Sequence, residues 1–290
     1  MKKLNANLFG LYATVEISRE SPAQISALRQ EEFRCRNIYF EGEYVDWKTA
    51  GVQAQGYDAP QILEKLIDAT REVVVGRAAY ERDTVLFHDA RVSHPLLAWL
   101  LYAAYRSSGR LAVMDFGGAL GSAYYQHRRL LEPLEEFRWG IVEQAHFVAA
   151  GRSEFATETL KYFGCAGDCA LALEPNFLLL SATLQYVNHP YKLLDELLSL
   201  GLPYCLIDRT TAHRTGRDRV YVQHVPAWIY AASYPVWLLD ANKLESCFDR
   251  HGYEVIDQFD PYPGSLAGDD EFSAPYMGWF LQKRKVATSS

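Results

Sequence analysis

The stretch VMDFGGALG, residues 113–121, decides the fold of this chain. An apolar run ends at Asp115 and passes directly into a turn that holds Gly117, Gly118 and Gly121. Glycine lets the backbone turn tightly and approach a ligand closely, because it has no Cβ. In open α/β sheets, ligands bind where a strand ends in such a turn and a helix begins. The stretch therefore predicts a ligand site at the carboxyl end of a buried strand.

The chain around this turn alternates between strand and helix patterns. The predicted parallel strands are, in order, RLAVMDF, RWGIVEQ, LKYF, NFLLLSATLQYV and PYCLID. Strands that are separated by helical crossovers indicate a parallel, doubly wound sheet. The last two strands, YEVIDQFD and MGWFLQKRK, are joined by a loop without a helical pattern, which favours an antiparallel hairpin. The predicted class is α/β, a Rossmann-like sheet that is mostly parallel with an antiparallel last strand.

The N-terminal third has a different pattern of apolar residues. Apolar residues recur at helical spacing over residues 59–79 and again over 94–105, so helices are expected there. No linker rich in Pro, Gly or Ser divides the chain. We expect a helical N-terminal cap or extension over residues 1–108 and a sheet domain over 109–290. Within that domain, residues 208–240 form an insertion.

Composition narrows the classes of function. The chain has 290 residues, 49% of them hydrophobic, and a net charge of −7. Nucleic-acid-binding proteins usually show a basic face, so no nucleic-acid partner is expected. No apolar stretch approaches the roughly 18 residues that a membrane span needs, and the first residues lack the pattern of a signal peptide. We therefore expect a protein without a membrane span.

The cysteines point to a reducing compartment. Five of them are scattered along the chain, an odd number without paired spacing. This predicts reduced thiols and a cytoplasmic protein. Cys165 and Cys169 lack a second pair of ligands, so no metal site is predicted.

Two ligand classes compete for the glycine-rich turn. A dinucleotide favours the GxGxxG fingerprint, and Phe116 stands where its first glycine is required. S-adenosylmethionine has a cationic methionine end, which a carboxylate at Asp115 would suit. Its ribose offers two hydroxyls, which Glu143 at the end of the next predicted strand could accept. The pattern favours S-adenosylmethionine over a nicotinamide cofactor.

At these residues the chain resembles the class I S-adenosylmethionine-dependent methyltransferases. Asp115, Gly117 and Gly121 match the first motif of that family, in which Ala119 replaces the middle glycine, and Glu143 matches the second. The fourth motif falls at residues 176–183, with Asn176 in place of the usual acid. The resemblance covers about residues 110–285. It implies S-adenosylmethionine as cofactor, held by residues that also include Gly118, Gln144 and Ser181.

A narrower resemblance extends outside the glycine turn. The tracts that carry it are GEYVDWKTA, GYDAPQIL, YERDTVLF, LIDRTTAH and SYPVWLLD. They are similar to a largely uncharacterised bacterial methyltransferase family that is associated with surface-polysaccharide gene clusters. This resemblance implies O-methylation of a small hydroxylated acceptor such as a sugar or glycoconjugate.

The insertion at 208–240 carries side chains suited to an acceptor site. An oxygen acceptor usually needs a base to take its proton. The candidate bases are His213, His224 and Asp208, of which His213 is favoured because it follows the fifth predicted parallel strand. Candidate acceptor-binding residues are Arg209, Tyr230, Tyr234 and, from the N-terminal region, His88.

Two alternatives to methyl transfer stay open from the sequence. One is an NAD(P)-dependent oxidoreductase, although Phe116 interrupts its fingerprint. The other is a non-catalytic cofactor-binding scaffold, which Ala119 and Asn176 leave open. The N-terminal region could also cover the acceptor site or build a homodimer.

Overall fold

The computed structural model describes residues 2–8, 11–17, 36–54, 56, 60–261 and 276–285. The strands are β1 (Lys2–Leu8), β2 (Leu11–Ile17), β3 (Tyr39–Tyr44), β4 (Tyr80–Arg82), β5 (Val85–Phe87), β6 (Arg110–Phe116), β7 (Glu136–Val142), β8 (Leu160–Phe163), β9 (Phe177–Ser181), β10 (Tyr204–His213), β11 (Arg219–Val225), β12 (Ala232–Asp240), β13 (Tyr253–Phe259) and β14 (Tyr276–Lys283). The helices are α1 (Trp47–Val52), α2 (Pro60–Val74), α3 (His94–Arg106), α4 (Ser122–Leu131), α5 (Ala145–Glu154), α6 (Ala166–Leu173), α7 (Pro190–Leu198) and α8 (Ala241–Arg250).

The central sheet has the order β8-β7-β6-β9-β10-β14-β13. Strands β6 to β10 pair in parallel, and β14 runs antiparallel to both β10 and β13. Strands β6 and β9 are neighbours at the centre of the sheet. From β6 the chain continues outward to β7 and β8 on one side, and from β9 it continues outward to β10 on the other. The predicted α/β class, with a mostly parallel sheet and an antiparallel last strand, is confirmed.

Helices cover both faces of this sheet because its central strands are apolar on both sides. In β6, Leu111 and Val113 face one hydrophobic core and Met114 faces the other, and all three side chains are fully buried. Helices α2 to α5 contribute to the first core, and α6 to α8 contribute to the second. Strands buried on both faces read as continuous hydrophobic runs, as RLAVMDF does.

The N-terminal region contains strands as well as helices. The helices expected near residues 59–79 and 94–105 are present as α2 and α3, and α3 packs into the first core. The expectation of a purely helical extension is incomplete, because β1 pairs with β2, β4 pairs with β5, and β3 adds to the sheet next to β11. Within the described ranges, no helix has both the length and the apolar character needed to cross a membrane.

The insertion at 208–240 extends the sheet at the end of β10. Strand β10 is irregular between Ile207 and Thr210, where its pairing with β14 shifts register. Arg209 occupies this irregularity with a φ of +50°. Beyond it, Ala212 and His213 pair with β12, which in turn pairs with β11. The insertion therefore projects as a β-extension from the carboxyl edge of the parallel sheet.

The short β4–β5 hairpin is fixed to the start of α4. Its two turn residues, Asp83 and Thr84, have φ values of 51° and 69°, which non-glycine residues seldom adopt. Glu81 is 1% exposed and accepts hydrogen bonds from the Ser122 hydroxyl and the Thr84 amide. Burial raises the pKa of Glu81 to about 7. The hairpin is therefore tied to the residue that follows the glycine-rich turn.

This buried carboxyl predicts a pH-dependent stability. The folded pKa of Glu81 lies above the ordinary value of 4.5, so its contribution is complete at acid pH and is lost as pH rises through about 7. The loss amounts to about 3 kcal/mol at most. Urea unfolding at pH 5 and pH 8 should show that Glu81→Gln removes this part of the pH dependence. Glu132→Gln, at an exposed position, is the control and should leave the pH dependence as in the wild type.

Candidate functional site

A cavity of about 560 Å³ lies at the carboxyl ends of β6, β7, β9 and β10. This is the edge of an open parallel sheet where ligands bind, and the volume lies in the range of small-molecule sites. The predicted cofactor residues that line it are Asp115, Gly117, Gly118, Glu143, Gln144 and Ser181. The predicted acceptor residues that line it are Arg209, Tyr230 and Tyr234. The structure thus brings most of the predicted site residues to one cavity.

The glycine-rich turn is packed too tightly for larger residues. A Cβ on Gly117 would lie 2.6 Å from the Thr183 side chain, and a Cβ on Gly118 would lie 2.5 Å from the Asp115 carboxyl group. Ala119 has a φ of +52°, the left-handed conformation that glycine usually adopts. Gly121 has a φ of +111° and caps α4, so it shapes the turn from outside the cavity lining.

Asp115 is buried at the base of the turn. The Trp139 indole N–H donates a hydrogen bond to Oδ2 of Asp115 over 3.0 Å. The carboxyl group is 1% exposed, and its burial raises the pKa of Asp115 to about 7, with a smaller contribution from the nearby charge of Glu143. A buried carboxylate of this kind gains most from a cationic partner.

Glu143 supplies the second carboxylate of the cavity. It follows β7 directly and accepts a hydrogen bond from the Gln144 amide over 2.7 Å. Burial raises the pKa of Glu143 also, and its backbone partners oppose that shift. Asp115 and Glu143 therefore place two acidic groups on adjacent parallel strands, where the ends of β6 and β7 meet.

Three polar residues join the ends of β9 and β10. The Arg209 guanidinium donates to the Ser181 hydroxyl over 2.9 Å and lies 3.8 Å from Oδ2 of Asp208. The Ser181 hydroxyl lies 3.4 Å from the same carboxylate oxygen. Burial raises the pKa of Asp208, which is 3% exposed. Its Oδ1 atom has no hydrogen-bond partner among the described residues.

The β11–β12 extension forms the far wall of the cavity. Tyr230 and Tyr234 line this wall, with their hydroxyls 3.5 Å apart. Gln223 reaches the cavity from β11 and bonds to Tyr234. Tyr186 completes the wall from the turn that follows β9. This end of the cavity combines aromatic faces with hydroxyl and amide groups.

The structure places His213 and His224 outside the lining of this cavity. His213 lies five residues beyond Asp208, at the end of β10 that pairs with β12. Its Nδ1 accepts from the Thr215 amide over 3.1 Å. His224 projects from the face of β11 opposite to Gln223, because successive side chains of a strand alternate. There it lies 2.9 Å from Glu41, and its ring stacks on Tyr39.

Two further positions from the sequence also lie elsewhere. His88 is exposed and its Nδ1 lies 3.0 Å from the Arg77 carbonyl oxygen, away from the cavity lining. Asn176 precedes β9, at the opposite end of that strand from Ser181. Its side chain bonds to the Ala112 amide and the Arg110 carbonyl, so it joins β9 to β6. Asn176, which stands where the family motif usually has an acid, therefore has a structural role in joining two strands of the sheet.

Several lining residues had no clear signal in the sequence. Arg82 and Asp83 reach the cavity from the β4–β5 hairpin, although their tract YERDTVLF was noticed only as a resemblance. Thr183 contacts the glycine turn, and Tyr186 and Gln223 belong to the far wall. Side chains alternate between the two faces of β11. If the face turned towards the cavity had been known, Gln223 could have been chosen as a lining residue in place of His224.

Comparison with known proteins concerns the fold. No family model matches the chain, and no curated protein matches it. Similar solved structures include the 1,6-didemethyltoxoflavin-N1-methyltransferase of Burkholderia thailandensis with bound S-adenosylhomocysteine, at 15% identity over 84% of this chain and 100% of that chain, with a TM-score of 0.41. The magnesium protoporphyrin IX methyltransferase of Synechocystis PCC 6803 with bound S-adenosylmethionine has 9% identity over 84% and 100%, with a TM-score of 0.47.

A third similar structure carries a different activity. The cyclase SpnF has 14% identity over 78% of this chain and 95% of that chain, with a TM-score of 0.45. At sequence identities this low, the similarity concerns only the arrangement of strands and helices. The activity of this chain has to be argued from its own residues.

Substitutions at two neighbouring positions of the glycine-rich turn, 118 and 119, should change the stability of the protein in opposite directions. Ala119→Gly should stabilise the protein by up to about 1 kcal/mol, because it relieves the left-handed backbone of an L-residue. Gly118→Ala should destabilise it, because the new Cβ would meet the Asp115 carboxyl group. Urea unfolding of both variants gives the two signs. Equal destabilisation by both changes would contradict this account of the turn.

Proposed function

We propose that this protein is an S-adenosylmethionine-dependent methyltransferase. The observation that carries the proposal is a pair of carboxyl groups, the buried Asp115 and the half-buried Glu143, on either side of a glycine-rich turn that lines a cavity. A dinucleotide would bring pyrophosphate charges to this turn, which two acidic groups would repel. A cationic nucleoside suits the same groups.

The residues of the cavity fit this cofactor. The buried Asp115 carboxylate would hold the cationic methionine end beside Gly117 and Gly118, where the backbone is open. Glu143 would accept hydrogen bonds from the ribose hydroxyls, and Gln144 would border the adenine side. S-adenosylmethionine supplies a methyl group on a positively charged sulfur. The protein's own part is to hold an acceptor against that methyl group and to exclude water.

The acceptor proposed here is a small hydroxylated molecule, such as a sugar or glycoconjugate, and the methylated atom is an oxygen. Tyr230 and Tyr234 support this, because they offer aromatic faces and hydroxyls at the end of the cavity away from Glu143. Arg209 lies between them and the end of β9, and would position the acceptor. The narrower family resemblance supports a role in surface-polysaccharide biosynthesis.

Asp208 is the proposed general base. Its neighbours Ser181 and Arg209 line the cavity, whereas His213 and His224 project elsewhere. Burial raises the pKa of Asp208, which makes its carboxylate a stronger base than an exposed aspartate. Ser181 lines the cavity with its hydroxyl 3.4 Å from Oδ2 of Asp208, and would pass the acceptor proton to that oxygen.

Calorimetric titration with S-adenosylhomocysteine tests the proposal, with NAD as the control ligand. Micromolar binding of S-adenosylhomocysteine alone would support it, and preferential binding of NAD would favour the oxidoreductase alternative. Asp115→Asn and Glu143→Gln should each weaken binding at least ten-fold. A protein that binds the cofactor but transfers no methyl group to any hydroxylated acceptor would fit the scaffold alternative.

Cofactor binding should depend on pH through Asp115. Its pKa of about 7 in the ligand-free protein should fall when a cationic amine binds, so binding releases a proton at lower pH. S-adenosylhomocysteine should therefore bind about ten-fold more weakly at pH 6 than at pH 8. Asp115→Asn should bind weakly with little dependence on pH. An unchanged affinity of the wild type across this range would contradict the role of Asp115.

The choice of base makes a kinetic prediction. Asp208→Asn should lower kcat for methyl transfer to methyl pyranosides by about a hundred-fold or more, with the affinity for S-adenosylhomocysteine unchanged. Wild-type kcat should fall at acid pH, because protonation of Asp208 removes the base. His213→Gln and His224→Gln should keep most of the wild-type rate. A comparable loss in either histidine variant would assign the proton transfer to that histidine.

A further inference from the structure

A row of hydrogen-bonded side chains forms the far wall of the cavity. The Tyr186 hydroxyl donates to Oε1 of Gln223 over 3.1 Å, and Nε2 of Gln223 donates to the Tyr234 hydroxyl over 3.0 Å. The Tyr230 hydroxyl lies 3.5 Å from that of Tyr234. Gln223 is only 2% exposed, yet it borders the cavity as the tyrosines do. One buried amide therefore holds the centre of the row.

This amide gives the two tyrosines that it contacts opposite roles. An amide oxygen only accepts hydrogen bonds, and an amide nitrogen only donates them. Tyr186 therefore donates its proton to Gln223, and its oxygen can only accept from further groups, among which is the Gln185 side chain. Tyr234 accepts from Gln223, and its own proton points away from that amide. The Tyr186–Gln223–Tyr234 row thus has one hydrogen-bond direction, whereas either hydroxyl can donate between Tyr234 and Tyr230.

The hydrogen-bonded row itself, made of three tyrosines and an amide, carries no charge. Burial raises the pKa of Tyr186 well above its usual value, so the phenol stays protonated at any working pH. Arg82 and Arg209 both line the cavity, and Arg209 lies against the Asp208 carboxylate and the Ser181 hydroxyl. The Asp83 carboxylate lies near Tyr186 and would repel an anion at this end. Val225 and Ile229 add apolar surface beside the tyrosines. A neutral ring with an apolar face and adjacent hydroxyls matches this surface better than an anion does.

We propose that Gln223 determines acceptor specificity, by orienting Tyr186 and Tyr234 to bind neighbouring hydroxyls of a neutral pyranoside. A pair of hydroxyls on adjacent ring carbons can donate to one phenol oxygen and accept from the next. The Gln223 side chain bonds to Tyr186 and Tyr234, and its proposed action is exerted through them, so it is a positioning residue. The inference rests on the proposed methyltransferase function and names the acceptor class of the same site.

Binding of simple glycosides tests the inference without knowledge of the natural acceptor. The full chain, saturated with S-adenosylhomocysteine, is mixed with methyl α-D-glucopyranoside, methyl α-D-galactopyranoside, methyl α-L-rhamnopyranoside or D-glucuronate. Saturation-transfer NMR reports binding of each probe. At least one neutral pyranoside should bind, and more strongly than glucuronate. Gln223→Met and Tyr234→Phe should each weaken that binding at least five-fold, with the affinity for S-adenosylhomocysteine changed less than two-fold.

A second variant separates orientation from mere packing. A carboxylate cannot donate a hydrogen bond, whereas a protonated carboxyl group both donates and accepts, as the amide does. Gln223→Glu should therefore bind the glycoside poorly at pH 8 and regain binding as pH falls and the new carboxyl group is protonated. Excess S-adenosylhomocysteine keeps the cofactor site filled throughout. The wild type should show no such recovery at low pH.

Tyr102→Phe is the matched control, because it removes a tyrosine hydroxyl that bonds to Gln282 outside the cavity. It should leave glycoside binding unchanged. Failure of S-adenosylhomocysteine to bind the wild type would overturn the proposed function. Normal cofactor binding with no neutral pyranoside bound, with glucuronate preferred, or with equal glycoside binding in Gln223→Met would overturn this inference alone.

Discussion

The burial of Asp115 beneath the glycine turn is the constraint on which the site depends. Its carboxyl group packs so closely under Gly118 that no side chain fits there, and Trp139 fixes it from the neighbouring strand. Burying an acidic group costs free energy, which the nearby charge of Arg209 only partly offsets, so the pKa of Asp115 is raised. A site built in this way is poised for a cation.

The remainder of the cavity follows from how the sheet is extended around this group. Parallel pairing aligns the ends of β6, β7, β9 and β10, which brings Glu143, Ser181 and Arg209 to the same edge. The β4–β5 hairpin and the β11–β12 extension then enclose that edge from two sides. Strained backbone occurs at Asp83 and Arg209, where each of these additions meets the cavity. Such strain is often retained where a functional geometry requires it.

The sequence allowed the sheet and the end of the cavity at the glycine turn to be predicted, because their signals are local. A buried strand, a glycine turn and an acid at the next strand end all lie within residues 110–143, and the structure places them as expected. The acceptor end depends on contacts between distant parts of the chain. Nothing in the order of residues shows that Arg82 meets the cavity, or that β10 continues past Asp208 and carries His213 away.

The histidine at 224 shows the physical origin of this limit. Successive side chains of a strand lie on opposite faces of the sheet. Either His224 or Gln223 could therefore line the cavity, and the sequence alone does not show which face of β11 is turned towards it. Pairing with β3 on one side and β12 on the other fixes that face. Histidine is the more usual catalytic residue, but in this fold the Gln223 amide lines the cavity and His224 does not. Under the proposed function, the specificity of this site depends on which neutral side chains the β-extension turns inward.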